Sequence, residues 1–116
     1  MPSVQVLDQA RSGVIEATTD AEALQEVLHY YHRQGATELG VDLVRNALVA
    51  LPTPFPITGD TIDRARQLLL THPWSLDARD AVHAAVVLEH RLEGVISADR
   101  GFDAIGGVRR FDPRDL

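Results

Sequence analysis

Cysteine is absent from the 116 residues, which excludes disulfides and thiolate metal sites. Lysine is absent too: all 11 basic residues are arginine, a side chain that pairs well with phosphate where geometry matters. No apolar run approaches the length of a membrane span. The opening residues "MPSVQVLDQARSG" have no basic stretch followed by an apolar block, so a secretory signal is not expected and a cytoplasmic protein is the default expectation. Internal repeats and low-complexity linkers are missing. So are a glycine-rich phosphate loop and a G-x-S-x-G elbow.

What remains is an ordinary globular composition, with 45% apolar and 24% charged residues. The length suits one domain, residues 1–116, with a single modest core. A formal net charge of −6 argues against a dedicated nucleic-acid coat. It leaves room for an enzyme that meets nucleic acid through a metal held in an acidic pocket.

Hydrophobic periodicity divides the chain. Val4, Leu7 and Ala10 predict the tail of a helix over 3–11, and "GVIEAT" (13–18) predicts a short strand. Thr19 and Glu22 fit a capping box for a helix running to about Gly35, with Ala21, Leu24, Val27, Leu28 and Tyr31 as its apolar stripe. "TELGVDLVRNALVAL" predicts a second full helix with Val41, Val44, Leu48 and Leu51 at helical spacing. The Pro-punctuated "PTPFPIT" leaves only a short edge strand near Phe55. "GDTIDRARQLLLTH" predicts a helix stopped by Pro73. "SLDARDAVHAAVVLEHRL" predicts another, capped by Ser75 or Asp77. A strand after Gly94, a tight helical turn in "RGFDAIGG" and a last strand "VRRF" complete the series. Strands separated by helices imply an α/β fold with a largely parallel sheet. Ligands in such folds bind beyond the carboxyl ends of the strands, where Asp99 falls.

The segment "SLDARDAVHAAVVLEHRLEGVISADRGFD" (75–103) places acids at the start of a helix and again past the end of a strand. Each has a plain structural reading. Asp80 lies in a first helical turn, where the dipole favours carboxylates. Asp77 reads as a cap, Asp99 as a cap of the following turn, and Asp103 as surface. Glu26 lies off the apolar stripe of its helix, on a solvated face. Together, the acids offer the oxygen donors that hard divalent cations take, and such ions serve phosphodiester hydrolysis. Zinc is the weaker reading: His29, His32, His72, His83 and His90 lack cysteine partners. His83 is expected to be structural beside Asp80.

In combination, D-x-x-H-A-A, a helix, a strand ending in S-A-D, then x-x-F-D and a D-P ending resemble the C-terminal half of a PIN domain. More narrowly, they resemble the VapC toxins of bacterial toxin–antitoxin pairs. "ATTDAEALQEVLHYYHRQG" is similar to that family's second strand and the helix after it, so the likeness covers nearly the whole chain. The resemblance implies a Rossmann-like parallel sheet flanked by helices and a Mg²⁺- or Mn²⁺-dependent endoribonuclease with RNA as substrate. It also implies a cognate antitoxin protein as partner and a homodimer. Carried over residue by residue, the catalytic and metal-holding acids are Glu26, Asp80 and Asp99. Ser97 matches a hydroxyl position near the site, Asp103 an occasional extra acid. Arg79 and Arg100 are candidate RNA contacts.

The family's fourth acid ends its first strand. Asp8 in "VQVLDQA" is not that residue, because about five residues to Val14 are too few for a parallel crossover, which needs roughly a dozen. The first strand and its aspartate are therefore expected upstream of Met1, through a late start or true truncation. Two other readings stay open: a catalytically inactive, truncated PIN protein that binds an antitoxin, and an unrelated α/β binding module whose acids are helix caps.

Overall fold

The computed structural model describes residues 19–115. They form four α-helices, α1 (Ala21–Arg33), α2 (Thr37–Ala50), α3 (Gly59–Thr71) and α4 (Ala78–Glu89), and two strands, β1 (Gly94–Ile96) and β2 (Arg109–Phe111). Single 3₁₀ turns follow at Arg100–Ala104 and Pro113–Asp115. The chain divides into two compact units after Pro56. The expected helix tail at 3–11, the strand at 13–18 and Asp8 lie outside the described residues.

In the first unit, α1 is capped by Asp20, whose carboxylate accepts the amide of Ala23 at 2.8 Å. The cap is thus one residue later than the expected Thr19. Thr19 is held by a parallel bridge instead: Phe55 N–H donates to its carbonyl at 2.8 Å, and Ala21 N–H donates to the Phe55 carbonyl at 2.9 Å. The proline-flanked segment supplies that single bridge and no strand, since proline cannot donate to a ladder. α1 ends at Gly35 in a left-handed conformation, φ 75°, with Ala36 N–H reaching the Tyr31 carbonyl at 2.9 Å, a Schellman closure.

Burial on α2 follows the helical spacing only in part, with Leu51 buried and Val44 half-buried. Val41 and Leu48 are exposed, while Gly40, Ala47 and Leu51 are buried. The reason is close helix approach. A Cβ built at Gly40 would lie 2.8 Å from the Cβ of Tyr31, so α1 meets α2 along its smallest residues rather than its largest.

In the second unit, Thr58 and Thr61 form a reciprocal cap at the start of α3: each hydroxyl accepts the other's amide, at 3.2 and 3.1 Å. α3 packs on α4. Ala81, Ala84 and Ala85 of α4 are fully buried, and with Ala65, Leu76, Val87, Phe102, Ile105 and Val108 they make the core. Small side chains on α4 let helix, 3₁₀ turn and strands close on it. β1 and β2 pair in parallel, Gly94 opposite Arg109 and Ile96 opposite Phe111, so the two short sequence runs meet as the alternation predicts.

Candidate functional site

The site assembles where the carboxyl end of β1 meets the amino end of α4. Asp77 caps α4, its carboxylate accepting the Asp80 amide at 2.8 Å. That fixes the first helical turn and places Asp80, half-buried, above the alanine-lined core. On the other side, Ser97 N–H extends the parallel ladder to the Phe111 carbonyl at 2.9 Å. The chain then turns sharply. Asp99 N–H donates to the Ser97 hydroxyl at 3.0 Å, and the Asp99 carboxylate accepts Gly101 N–H at 2.8 Å. Phe102, 2% exposed, anchors this turn in the core.

Gly101 sets how closely the two halves approach. A Cβ there would overlap the carbonyl oxygen of Ser75, in the loop just before α4. With no side chain in the way, the Asp99 turn seats on that loop and its carboxylate reaches Asp80. The two acids are hydrogen-bonded to each other.

Their electrostatics are unequal. Burial pushes the Asp80 carboxyl from its ordinary 3.8 up to about 7, helped by the bond to Asp99 and by the charges of Asp77 and Asp99, and opposed by His83. Asp99 moves down, because Asp80 and the Gly101 amide both donate to it and Arg110 adds positive charge. Asp80 therefore holds the proton of the pair and Asp99 the charge. Two carboxylates this close cannot both ionise without a compensating cation. Oxygen-only donors at such spacing fit a hard divalent ion that would take the proton's place.

Behind Asp99 lies a cluster that the sequence reading did not single out. Arg110, 15% exposed, pairs with Asp103 at 2.9 Å and with Asp112 at 3.7 Å. It also donates to the Ser97 carbonyl at 3.2 Å. One guanidinium thus ties the exit of β1, the 3₁₀ turn and the exit of β2. The available signal was the doublet Arg109–Arg110 in a short strand, since alternation sends one of the two inward.

The remaining candidates are distributed as follows. Glu26 is partly buried on α1, in the first unit. Arg79 is 3.9 Å from Asp77, and Arg100 stands exposed at the start of the 3₁₀ turn. His83 lies close enough to act on Asp80, as expected. His32 meets the Thr37 hydroxyl at 2.9 Å. Among the described residues, no group of three or more histidine, aspartate or glutamate side chains gathers in a way that could hold a metal ion, and no helix is long and apolar enough to cross a membrane.

Comparison with known proteins meets this geometry. VapC ribonuclease Mb1869c of Mycobacterium bovis (strain ATCC BAA-935 / AF2122/97) is 36% identical over 110 residues, covering 92% of this chain and 81% of that protein. Ribonuclease VapC13 of Mycobacterium tuberculosis (strain ATCC 25618 / H37Rv) matches to the same extent, 36% over 110 residues with 92% and 81% covered. No solved structure gives a significant match. The PIN domain profile aligns with residues 2–108, and with an aspartate pair at the strand–helix edge and this fold, the chain belongs to the PIN domain family.

Proposed function

We propose that this chain is a divalent-metal-dependent endoribonuclease of the VapC type, the toxin of a type II toxin–antitoxin pair. The observation that carries the reading is the Asp80–Asp99 pair at the carboxyl edge of the parallel strands. Membership of the PIN family and the likeness to two VapC ribonucleases across most of the chain support it. Residues 1–116 are read as one PIN domain. Mg²⁺ or Mn²⁺ is the proposed ion, with Asp80 and Asp99 as ligands and Glu26 as the third acid on the family resemblance. Such an ion, when bound, lowers the pKa of a water and offsets the charge that develops on the phosphate.

The chain's own residues prepare that chemistry. Asp77 fixes the helical turn that carries Asp80. The Ser97 hydroxyl holds the Asp99 backbone amide, and Gly101 N–H orients the Asp99 carboxylate. Asp80 would give up its proton to such an ion, and Asp80 and Asp99 would then both be charged ligands. Arg79 and Arg100 are proposed to meet RNA phosphates, a cognate antitoxin to bind the toxin, and a second copy to complete a homodimer in the cytoplasm.

The test is cleavage of RNA by the purified chain with Mg²⁺ or Mn²⁺, with EDTA as control. Asp80→Asn and Asp99→Asn should each lower the rate about 100-fold or more, the size of losing one electrostatic stabiliser of a transition state. Metal-dependent cleavage that survives both substitutions would place the active site elsewhere.

A further inference from the structure

Trp74 is the sole tryptophan of the chain, and it stands 97% exposed in the turn between α3 and α4. Tryptophan is highly buried on average, so a nearly naked indole calls for a physical reason. Its support is firm. Pro73 precedes it, Ser75 N–H closes the turn onto the His72 carbonyl at 3.4 Å, and Leu76, 7% exposed, is buried in the core.

Its place is informative as well. The next residue, Ser75, presents the carbonyl against which Gly101 packs, and Gly101 donates to the Asp99 carboxylate. The turn bearing Trp74 and the turn bearing Asp99 therefore touch. Arg100 begins the Asp99 turn and Arg79 lies in the first turn of α4, both side chains exposed. Trp74, Arg79, Arg100 and the acidic pair are thus carried by adjoining turns of the second unit.

The chain's net charge of −6 gives it little overall attraction for a phosphate backbone. Binding energy for a polyanion must come largely from other sources. Stacking of a base on an aromatic ring is such a source, and it tolerates any sequence because every base has a π face. We infer that Trp74 is a stacking platform for an unpaired nucleobase of the RNA strand whose phosphate lies at Asp80 and Asp99. The inference rests on the ribonuclease reading of that pair and adds a base-binding residue beside it, one that a duplex would engage poorly because its base faces are covered by neighbouring bases.

The experiment uses the full chain and its own fluorescence. Asp80→Asn protein, in which cleavage should be at least about 100-fold slower, is titrated with a mixed-sequence single-stranded oligoribonucleotide and then with its duplex. Saturable quenching of the indole by the single strand and a much weaker response to the duplex are expected. In cleavage assays, Trp74→Ala should raise KM roughly 5- to 150-fold with kcat changed far less. Trp74→Phe should recover most of the loss, and both variants should melt like the parent because the side chain is exposed. Unaltered emission, or a KM unmoved by Trp74→Ala, overturns the proposal. So does loss of self-association in sedimentation with RNA binding intact, which would make Trp74 part of an interface between copies. A parent chain that cleaves no RNA defeats the ribonuclease reading alone, and the quenching titration still decides the role of Trp74.

Discussion

Asp80 donates a hydrogen bond to Asp99 and holds the proton that the two acids share, its pKa raised to about 7 while that of Asp99 falls. Among the described residues, the charged groups that act on Asp80 are Asp77, Asp99 and His83. In the unfolded chain its carboxyl returns to about 3.8. Protonated Asp80 thus contributes stability that is present below about pH 4 and is lost as pH rises through about 7. Asp99 contributes with the opposite sign, its share present above the ordinary aspartate range and lost as pH falls through its lowered value. The metal-free protein should therefore melt highest near pH 4, less high with each step toward about pH 7, and change little more by pH 8. Thermal unfolding in EDTA across that range is the measurement. Asp80→Asn, permanently neutral, should flatten that decline between about pH 4 and 7.

Metal binding should show the same proton. An ion that replaces it releases it, so Mn²⁺ affinity should climb as pH rises through about 7. Asp77→Asn separates cap from charge: asparagine caps as well as aspartate, but the negative charge that raises Asp80 is gone. The pH midpoint of Mn²⁺ binding should move to lower pH with little change in melting. Calorimetric titration at several pH values checks both; an unmoved midpoint would show that the Asp77 charge is not felt.

Gly101→Ala tests the close approach that brings the two acids together. The added Cβ overlaps the Ser75 carbonyl, and backbone oxygen does not move aside as a flexible side chain would. A cost of about 1–3 kcal/mol is expected from overpacking of this kind. RNA cleavage should fall by more than the unfolded fraction accounts for, because the Asp99 turn shifts away from Asp80. Denaturant unfolding and a rate measured on the folded protein distinguish the two effects.

Arg110→Met removes the clamp behind Asp99 and leaves Asp103 and Asp112 facing each other across its place. Losing a partner behind a metal ligand typically costs 10- to 100-fold in metal affinity, and about that loss is expected for Mn²⁺. Arg66→Met serves as the control. It breaks an ion pair with Asp63 of similar length, 2.9 Å, on an exposed helix surface, and should leave metal affinity where it was.

Thr58→Ala removes one half of the reciprocal cap on α3. About 0.5–2 kcal/mol of stability should be lost, read from the denaturant midpoint, with Mn²⁺ affinity and cleavage per folded molecule unchanged.

Local chemistry along the chain determined much of this protein. The apolar period of 3.6 marked α1 to α4, Pro73 marked the end of α3, and Asp77 was legible as the cap of α4. The strand "GVIS" and the strand "RRF" were legible from branched and aromatic residues between glycine and the D-P ending. Asp80 and Asp99 were legible as acids at the two ends of one β–α edge, and the family from the order of those motifs. These are properties of neighbours in sequence, which propensity and spacing encode directly.

What only the tertiary structure decided depends on residues distant in sequence. Asp20, not Thr19, caps α1, and Phe55, far along the chain, bridges to Asp20 through the Thr19 carbonyl and the Ala21 amide. The buried side of α2 was chosen by its contact with Tyr31 at Gly40, where a missing side chain outweighs the attraction of burying valine or leucine. The unequal sharing of one proton between Asp80 and Asp99 arises from burial, from a turn seated on Ser75 through Gly101, and from Arg110 behind it. Charge, desolvation and close contact act through space. A sequence can place the groups that feel them but not the distances at which they act.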